Sequence, residues 1–239
     1  MISFRAANSE YIEQTRLYNK KDIISSILLY SIMIILFILM GKHFIQKGET
    51  LSQLYIFGFT GIISLLCIVL VFFLCAIRKH KLITVGFSYT YAKKSFTAGI
   101  MIIILFSVLK GIIPVIFYNS TIRTDFGQIL MKFCYYLFFI AFMEEIVFRG
   151  YIGTRFYGYF KNKLLSIIVV GILCALLHIP FQMVVTQLSL SKYISINMGI
   201  IYNYFFWHLI EQWLYAKYNS IIAPVMLHFI MDFIGWIII

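Results

Sequence analysis

Two adjacent carboxylates and a guanidinium lie inside an otherwise apolar stretch of this chain, between Phe142 and Arg149. Moving an unpaired charge from water into hydrocarbon costs at least ~2.5–3.5 kcal/mol, so these groups require partners or a function. On a helix, Glu145 and Arg149 are four residues apart and share a face, whereas Glu144 points about 100° away from Glu145. The pattern predicts that Glu145 pairs with Arg149 and that Glu144 is a desolvated carboxylate without a local counter-charge, which is typical of a general base or acid.

Three further polar groups, His178, His228 and Asp232, lie in later apolar stretches. If the turn near residues 158–163 lies at the membrane surface, a rise of ~1.5 Å per residue places Glu144 ~20 Å and His178 ~22 Å below it. By the same measure, His228 lies ~12 Å and Asp232 ~18 Å below the start of the last stretch, one helical turn apart. The sequence therefore predicts one polar cavity near mid-membrane, lined by all four side chains and reached from the cytoplasmic half.

Each polar group has a structural alternative when it is taken by itself. A Glu–Arg pair at i,i+4 is commonly a structural ion pair, and a lone intramembrane histidine is often a hydrogen-bond partner between helices. The shared depth on three helices favours a common function, because each extra polar group in hydrocarbon adds a free-energy cost. His208 and Glu211 are three residues apart near one end of the sixth stretch, and we expect them to satisfy each other and to be structural.

The composition indicates an all-α polytopic membrane protein, since 62% of the 239 residues are hydrophobic and 12% are charged. Apolar stretches long enough to span ~30 Å of hydrocarbon predict about seven transmembrane helices, within a range of six to eight. They lie near residues 23–40, 54–77, 97–118, 134–157, 164–181, 196–215 and 221–239. Within one membrane domain we expect a cytoplasmic N-terminal tail over residues 1–22, three helices without motifs over 23–133, and a catalytic core over 134–239.

The net charge of +11 follows from membrane topology. Thirteen of the seventeen Lys and Arg residues in loops fall in the N-terminal tail or in the loops on its side of the membrane. The positive-inside rule then predicts a cytoplasmic N-terminus in the cell membrane. The basic residues form no face with interleaved aromatic side chains, so we expect the lipid bilayer, and not nucleic acid, as the surrounding partner.

The polar clusters resemble the signature of the CPBP family of intramembrane proteases, which is also called the Abi or CAAX prenyl protease and bacteriocin-processing family. That signature is Glu-Glu-x-x-x-Arg, then Phe-x-x-x-His on the next helix, then His-x-x-x-Asn or His-x-x-x-Asp on a later helix. Residues 144–149 match its first part and residues 228–232 match its third part, whereas Cys174 replaces the Phe of the second. The resemblance covers residues from about 134 to 236, and the change at Cys174 is expected to alter packing beside His178 more than chemistry.

The resemblance implies a role for each matched residue. Glu144, assisted by His178, activates a water molecule, while His228 and Asp232 stabilise the oxyanion that forms on the scissile carbonyl. Glu145 and Arg149 support the helix face that carries Glu144. The implied substrate is a peptide or small protein, in the processing of bacterial peptide signals or bacteriocin precursors, or in self-immunity.

The need for a metal stays open at this level. The family has also been described as metalloproteases, and His178, His228 and Asp232 would form a three-ligand zinc site with one open position. We favour a mechanism without a cofactor and keep zinc as the alternative. The four cysteines lie in apolar stretches without Cys-x-x-Cys spacing, and we interpret them as small buried hydrophobic residues: Cys67, Cys75, Cys134 and Cys174.

Two other classes of protein also place charges within a membrane. A non-catalytic immunity or scaffold protein would keep the helices and would tolerate the loss of Glu144. A small-solute transporter is expected to contain broken helices in two related halves, and the first half of this chain carries no motif.

Overall fold

The computed structural model describes residues 7–48 and 51–239, which form an all-α protein. Seven helices cover the seven predicted apolar stretches almost completely. A short helix, α1, precedes them. The bounds are α1 Ser9–Thr15, α2 Lys20–Lys47, α3 Gln53–Ile77, α4 Ala92–Phe117, α5 Phe126–Tyr159, α6 Lys163–Thr186, α7 Leu190–Tyr218 and α8 Ile222–Ile237.

Helices α2 to α6 are each long and apolar enough to cross a membrane. Helix α8 is apolar but shorter, and α7, of 29 residues, is long enough but more polar. Polar side chains start several of them: α2 begins with a capping box between Asn19 and Asp22, and Asn162 caps α6. Short connections between successive helices make neighbours antiparallel, so the loops alternate between two ends of the bundle.

Two of the helices that carry charged groups within their apolar spans contain π turns. Helix α4 contains a π turn over Ser107–Ile112, just before Pro114. Proline has no N–H to donate to the carbonyl of Lys110, so the regular hydrogen-bond ladder cannot continue there. Helix α5 contains two π turns, Tyr135–Ala141 and Ile146–Gly153, on either side of the carboxylate pair. Such π bulges recur at functional sites in proteins.

The second half of α5 is the centre of the bundle, because every residue from 143 to 157 is buried. Its glycines allow other segments to come close. A β-carbon on Gly150 would lie 2.7 Å from the carbonyl oxygen of Val85, in the short helical turn Leu82–Val85 after α3. Close approach on several sides holds α5 in one position relative to its neighbours.

The predicted N-terminal tail is packed onto one end of the bundle in the part that the structure describes, from residue 7 onward. Tyr11 of α1 is completely buried, and the backbone N–H of Asn8 donates to the carbonyl of Ala216 at 2.9 Å. Residues 1–6 of the tail lie outside the described residues. This end also carries the loops at 78–91, 160–162 and 219–221, so it is the end that the charge pattern predicts to be cytoplasmic.

A buried guanidinium ties this end together. Arg155 has no exposed surface and donates to the carbonyl of Thr84 at 3.0 Å and to Nδ1 of His80 at 3.2 Å. Because a guanidinium only donates, His80 Nδ1 accepts and the ring proton is on Nε2, which lies 3.7 Å from Asp22 Oδ1. Burial, and then the charge of Arg155, lower the pKa of His80 below its usual range.

Candidate active site

Arg149 connects two carboxylates from different helices. Its Nη1 lies 3.1 Å from Oε1 of Glu145, as the i,i+4 spacing predicts, and both side chains are buried. Its Nη2 donates to Oε2 of Glu211 on α7. A buried guanidinium with two carboxylate partners fixes the relative position of α5 and α7.

The expected pairing of His208 with Glu211 is wrong. Glu211 is 3% exposed and faces α5, where Arg149 offers a full positive charge and a charge-assisted hydrogen bond. His208 is fully buried and packs towards α6, where a β-carbon on Gly171 would lie 3.0 Å from its ring. Within residues 7–48 and 51–239, neither ring nitrogen of His208 has a hydrogen-bond partner. Glu211 is therefore a site residue that sequence reasoning missed.

His228 of α8 lies between acidic groups on three helices. Its Nδ1 lies 2.9 Å from Oε1 of Glu145 and 3.9 Å from Oε1 of Glu211. Its Nε2 lies 3.6 Å from Oδ2 of Asp232, one turn further along the same helix, as the spacing predicts. A carboxylate can only accept, so His228 donates the Nδ1 proton to Glu145.

Glu144 points away from this network and meets a different histidine. Its Oε2 lies 3.7 Å from Nε2 of His178, which is too long for a direct hydrogen bond but suits two groups that share one water molecule. The ring of His178 stacks on Tyr204 of α7, with centroids 3.8 Å apart and an interplanar angle of 21°. Tyr204 was not identified from the sequence, where an aromatic residue in an apolar stretch carries no distinguishing signal.

All four predicted catalytic side chains line one cavity of about 680 Å³: Glu144, His178, His228 and Asp232. Arg149, Cys174 and Glu211 also contribute to its wall, whereas Glu145 has no exposed surface. The two adjacent glutamates therefore differ in position as the helical geometry predicts, because only Glu144 faces the cavity.

The cavity extends from these four side chains towards the end opposite α1. Its lining continues through Phe44 near the end of α2, Ile56 near the start of α3, and Gln182 near the end of α6. This differs from the expected access from the cytoplasmic half, since the charge pattern predicts the α1 end to be cytoplasmic. The physical reason is the filling of that end by large buried side chains, among them Tyr11 and Arg155.

The donors that converge are not the three ligands proposed from the sequence. Among the described residues, two groups bring three ligand atoms within 4.8 Å of one another: Glu144 with Cys174 and His178, and Glu145 with Glu211 and His228. The set of His178, His228 and Asp232 is not among them.

The two groups differ in how well they suit a metal ion. Arg149 already pairs with the carboxylates of Glu145 and Glu211, and its buried positive charge opposes a further cation there. A thiolate, an imidazole and a carboxylate are all donor types that bind zinc, so the group that contains Cys174 fits zinc by chemistry. Cys67, Cys75 and Cys174 are buried, as the sequence predicts, whereas Cys134 is only partly buried. Cys174 also lines the cavity beside Glu144 and His178.

Comparison with known proteins agrees with this geometry. Residues 126–234 match the family model described as Rce1-like, type II CAAX prenyl endopeptidase Rce1-like. This range spans α5 to most of α8 and includes every ionisable side chain of the cavity except Lys110. Neither a curated protein nor a solved structure matches the chain. The match confirms the resemblance to the CPBP proteases: over residues 126–234 the chain is similar to the Rce1-like type II CAAX prenyl endopeptidases.

Proposed function

We propose that the protein is an intramembrane endopeptidase in which Glu144 and His178 activate water against a peptide bond. The observation that carries this proposal is the separation of the two adjacent glutamates. Glu144 faces the cavity beside His178, whereas Glu145 is turned towards Arg149 and His228. A carboxylate without a strong ionic partner in a low-dielectric cavity is a competent general base.

The reaction begins when water attacks the scissile carbonyl carbon. A new C–O bond forms, the water proton passes to Glu144, and the carbonyl oxygen becomes an oxyanion. Glu144 then returns the proton to the amide nitrogen as the C–N bond breaks, which releases a carboxylic acid and an amine. His178 holds the water against Glu144, and Tyr204 keeps the imidazole ring in one orientation through stacking.

His228 supplies the hydrogen bond that stabilises the oxyanion. Its Nδ1 proton is donated to Glu145, so Nε2 can donate to substrate only when His228 is an imidazolium. The surrounding charges support that form, because the carboxylates of Glu145 and Glu211 face a single guanidinium, Arg149. A positive charge on His228 makes the cluster electrically neutral. The cluster consists of Glu145, Glu211, Arg149 and His228. Asp232 lies beside Nε2 and orients it.

Zinc is the alternative source of activation. An ion held by Glu144, Cys174 and His178 would supply a Lewis acid and lower the pKa of bound water. The mechanism above uses only the side chains of this chain and needs no such ion.

The substrate is a peptide or small protein, and we place the enzyme in the cell membrane with a cytoplasmic N-terminus. Access through the cavity then comes from the non-cytoplasmic half. Processing of peptide signals or bacteriocin precursors, or self-immunity, suits such a location.

The decisive experiment measures hydrolysis by purified protein in lipid vesicles, with wild type compared with Glu144→Gln. The expected result is loss of turnover with unchanged insertion and thermal stability, because Gln keeps the shape but removes the base. Glu13→Gln on the exposed surface of α1 is the matched control. Equal turnover in wild type and Glu144→Gln would exclude Glu144 as the base, and an absence of turnover in wild type would instead identify a scaffold or immunity protein.

A further inference from the structure

Two lysines line the catalytic cavity but take no part in the proposed reaction. Lys110 belongs to the π turn of α4, and Lys132 lies in the first turns of α5. Lys110 lies within a predicted span and Lys132 at the edge of the next, and an ammonium group at the centre of a span costs ~2.5–3.5 kcal/mol on the insertion scale. Their presence on a cavity wall indicates that the cavity is aqueous at this level.

Neither lysine has a carboxylate partner in the described part of the chain. The acidic groups of the cavity are engaged elsewhere, with Arg149, His178 and His228. Each ammonium group instead lies over an aromatic ring of its own helix: Lys132 Nζ is 5.1 Å from the centre of Tyr135, and Lys110 Nζ is 5.9 Å from that of Phe106. These positions keep both charges on the cavity side without neutralising them.

The position of Lys110 follows from the packing of α4 against α8. Ser95 Oγ accepts from the backbone N–H of Ala223, and Gly99 lies against Met226. The two helices therefore run parallel with a fixed offset, which places Lys110 level with Ile237. Ile237 is nine residues beyond His228 on α8, or ~14 Å at 1.5 Å per residue.

The position of Lys132 follows from α5 itself. Lys132 precedes Glu144 by twelve residues on the same helix, which corresponds to no more than ~18 Å along the axis. Since α5 runs towards the α1 end, Lys132 lies on the opposite side of the catalytic groups, as Lys110 does. Two unneutralised cations on different helices thus line the open part of the cavity at a comparable distance from the catalytic centre.

We propose that Lys110 and Lys132 form a subsite for a carboxylate of the peptide substrate, which is either its C-terminal carboxylate or an Asp or Glu side chain. This deepens the proposed function and depends on it. An extended peptide advances ~3.3 Å per residue, so a separation of 14–18 Å corresponds to about four or five residues between the carboxylate and the scissile bond. The subsite therefore selects acidic substrates and sets the position of the cut.

The test uses short peptides of random sequence in three forms. One form has a free C-terminal carboxylate, the second has a C-terminal carboxamide, and the third keeps the carboxylate but replaces Asp and Glu with Asn and Gln. Cleavage by wild type in vesicles is followed by mass spectrometry, which reports both the rate and the distance of each cut from the nearest carboxylate. Sensitivity to the second form alone identifies the chain terminus, and sensitivity to the third alone identifies side chains.

Charge-neutral variants connect this preference to the two lysines. We expect the double variant, Lys110→Gln with Lys132→Gln, to raise KM roughly tenfold or more for carboxylate-bearing peptides, because a hydrogen bond to a charged group is lost. We expect kcat to stay nearly unchanged. Lys192→Gln is the matched control, since Lys192 is an exposed lysine at the same end of the bundle and is absent from the cavity wall.

Two outcomes would overturn the subsite. One is equal cleavage by wild type of the first form and of a peptide that combines the C-terminal carboxamide with the Asn and Gln replacements, and so has no carboxylate. The other is a double variant with unchanged KM. If its insertion is altered as well, the lysines only reach towards lipid headgroups. Binding of the same peptides to the Glu144→Gln protein separates this inference from the proposed function, because recognition of a carboxylate is measured there without hydrolysis.

Discussion

Arg149 on α5 and Glu211 on α7 form a buried ion pair that adds a fourth helix to the cluster of ionisable side chains around the cavity. Removing one partner of a buried ion pair leaves an uncompensated charge in a low-dielectric interior, which typically costs about 3–5 kcal/mol. The pair also carries one of the two negative charges that favour an imidazolium at His228. It therefore links the stability of the bundle to the proposed oxyanion donor.

A neutral Glu211 is expected to affect the chemical step. In Glu211→Gln, the remaining charges of Glu145 and Arg149 balance each other. No net negative charge of this cluster then favours the imidazolium form of His228. We expect kcat to fall by up to ~10²–10³-fold with little change in KM, as for loss of one oxyanion donor. Steady-state kinetics of wild type and Glu211→Gln measure this split. An unchanged kcat would show that Glu211 serves only the packing of α7.

The adjacent glutamates are expected to respond differently to the same substitution. Glu144→Gln should remove activity without a change in thermal stability. Glu145→Gln and Arg149→Ala should both lower the melting temperature, because each breaks a buried ion pair, and Arg149→Ala should be the more severe since it leaves two carboxylates unpaired. Thermal unfolding and turnover are measured on the same preparations. A stable, inactive Glu145→Gln beside an active Glu144→Gln would reverse the two roles.

Membrane topology is expected to follow the charge pattern. Reporter fusions after Gly48 and after Lys94 should give opposite signals, with the fusion after Lys94 on the cytoplasmic side. Gly48 ends α2 and Lys94 lies in the first turn of α4, so the two sites mark opposite ends of the bundle. Reversed signals would place the open part of the cavity on the cytoplasmic side. Identical signals at both sites would contradict the order of helices described above.

Metal content separates the two sources of water activation. We expect purified active protein to contain no stoichiometric zinc and to keep its turnover after treatment with a strong chelator. His228→Ala should then retain residual activity, because loss of one donor slows a reaction without removing its base. Elemental analysis is made on wild type and on Cys174→Ser. Two results together would establish the metal mechanism instead. Wild type would contain stoichiometric zinc that Cys174→Ser lacks, and wild-type cleavage would stop when zinc is removed and resume when zinc is returned.

Acid should destabilise the α1 end of the bundle through His80. Burial and Arg155 lower the pKa of His80 from its ordinary value of 6.5, while Asp22 opposes the shift and Arg78 adds to it. The folded state therefore prefers the neutral ring. This contribution to stability is fully present above pH 6.5 and is lost as the pH falls through the folded-state pKa.

The measurement is the melting temperature of detergent-solubilised protein as a function of pH. His80→Gln should show a smaller loss of stability on acidification than wild type, because glutamine keeps an acceptor for Arg155 and does not titrate. His43→Gln is the control, since His43 lies at the opposite end of the bundle against Tyr55. Parallel pH curves for wild type and His80→Gln would exclude His80 as the group responsible.

The sequence by itself determined the features that depend on local spacing and on hydropathy. Seven apolar stretches predict α2 to α8 because only a helix satisfies its own backbone in hydrocarbon. The i,i+4 relation predicts the Glu145–Arg149 and His228–Asp232 contacts, and the 100° step between neighbours separates Glu144 from Glu145. These relations hold within one helix, so no knowledge of the packing between helices was needed.

Only the tertiary structure decided which helices supply the remaining partners. The expected His208–Glu211 contact is equally local, yet Glu211 pairs with Arg149 because a full charge on α5 attracts a carboxylate more strongly than a neutral ring does. The direction of the cavity depends on which end of the bundle is filled by side chains. Tyr11 of α1 helps to fill the α1 end and contacts Gln212, which is more than 200 residues away along the chain. Contacts of that separation depend on the packing of whole helices, and nothing in the local pattern around either residue specifies them.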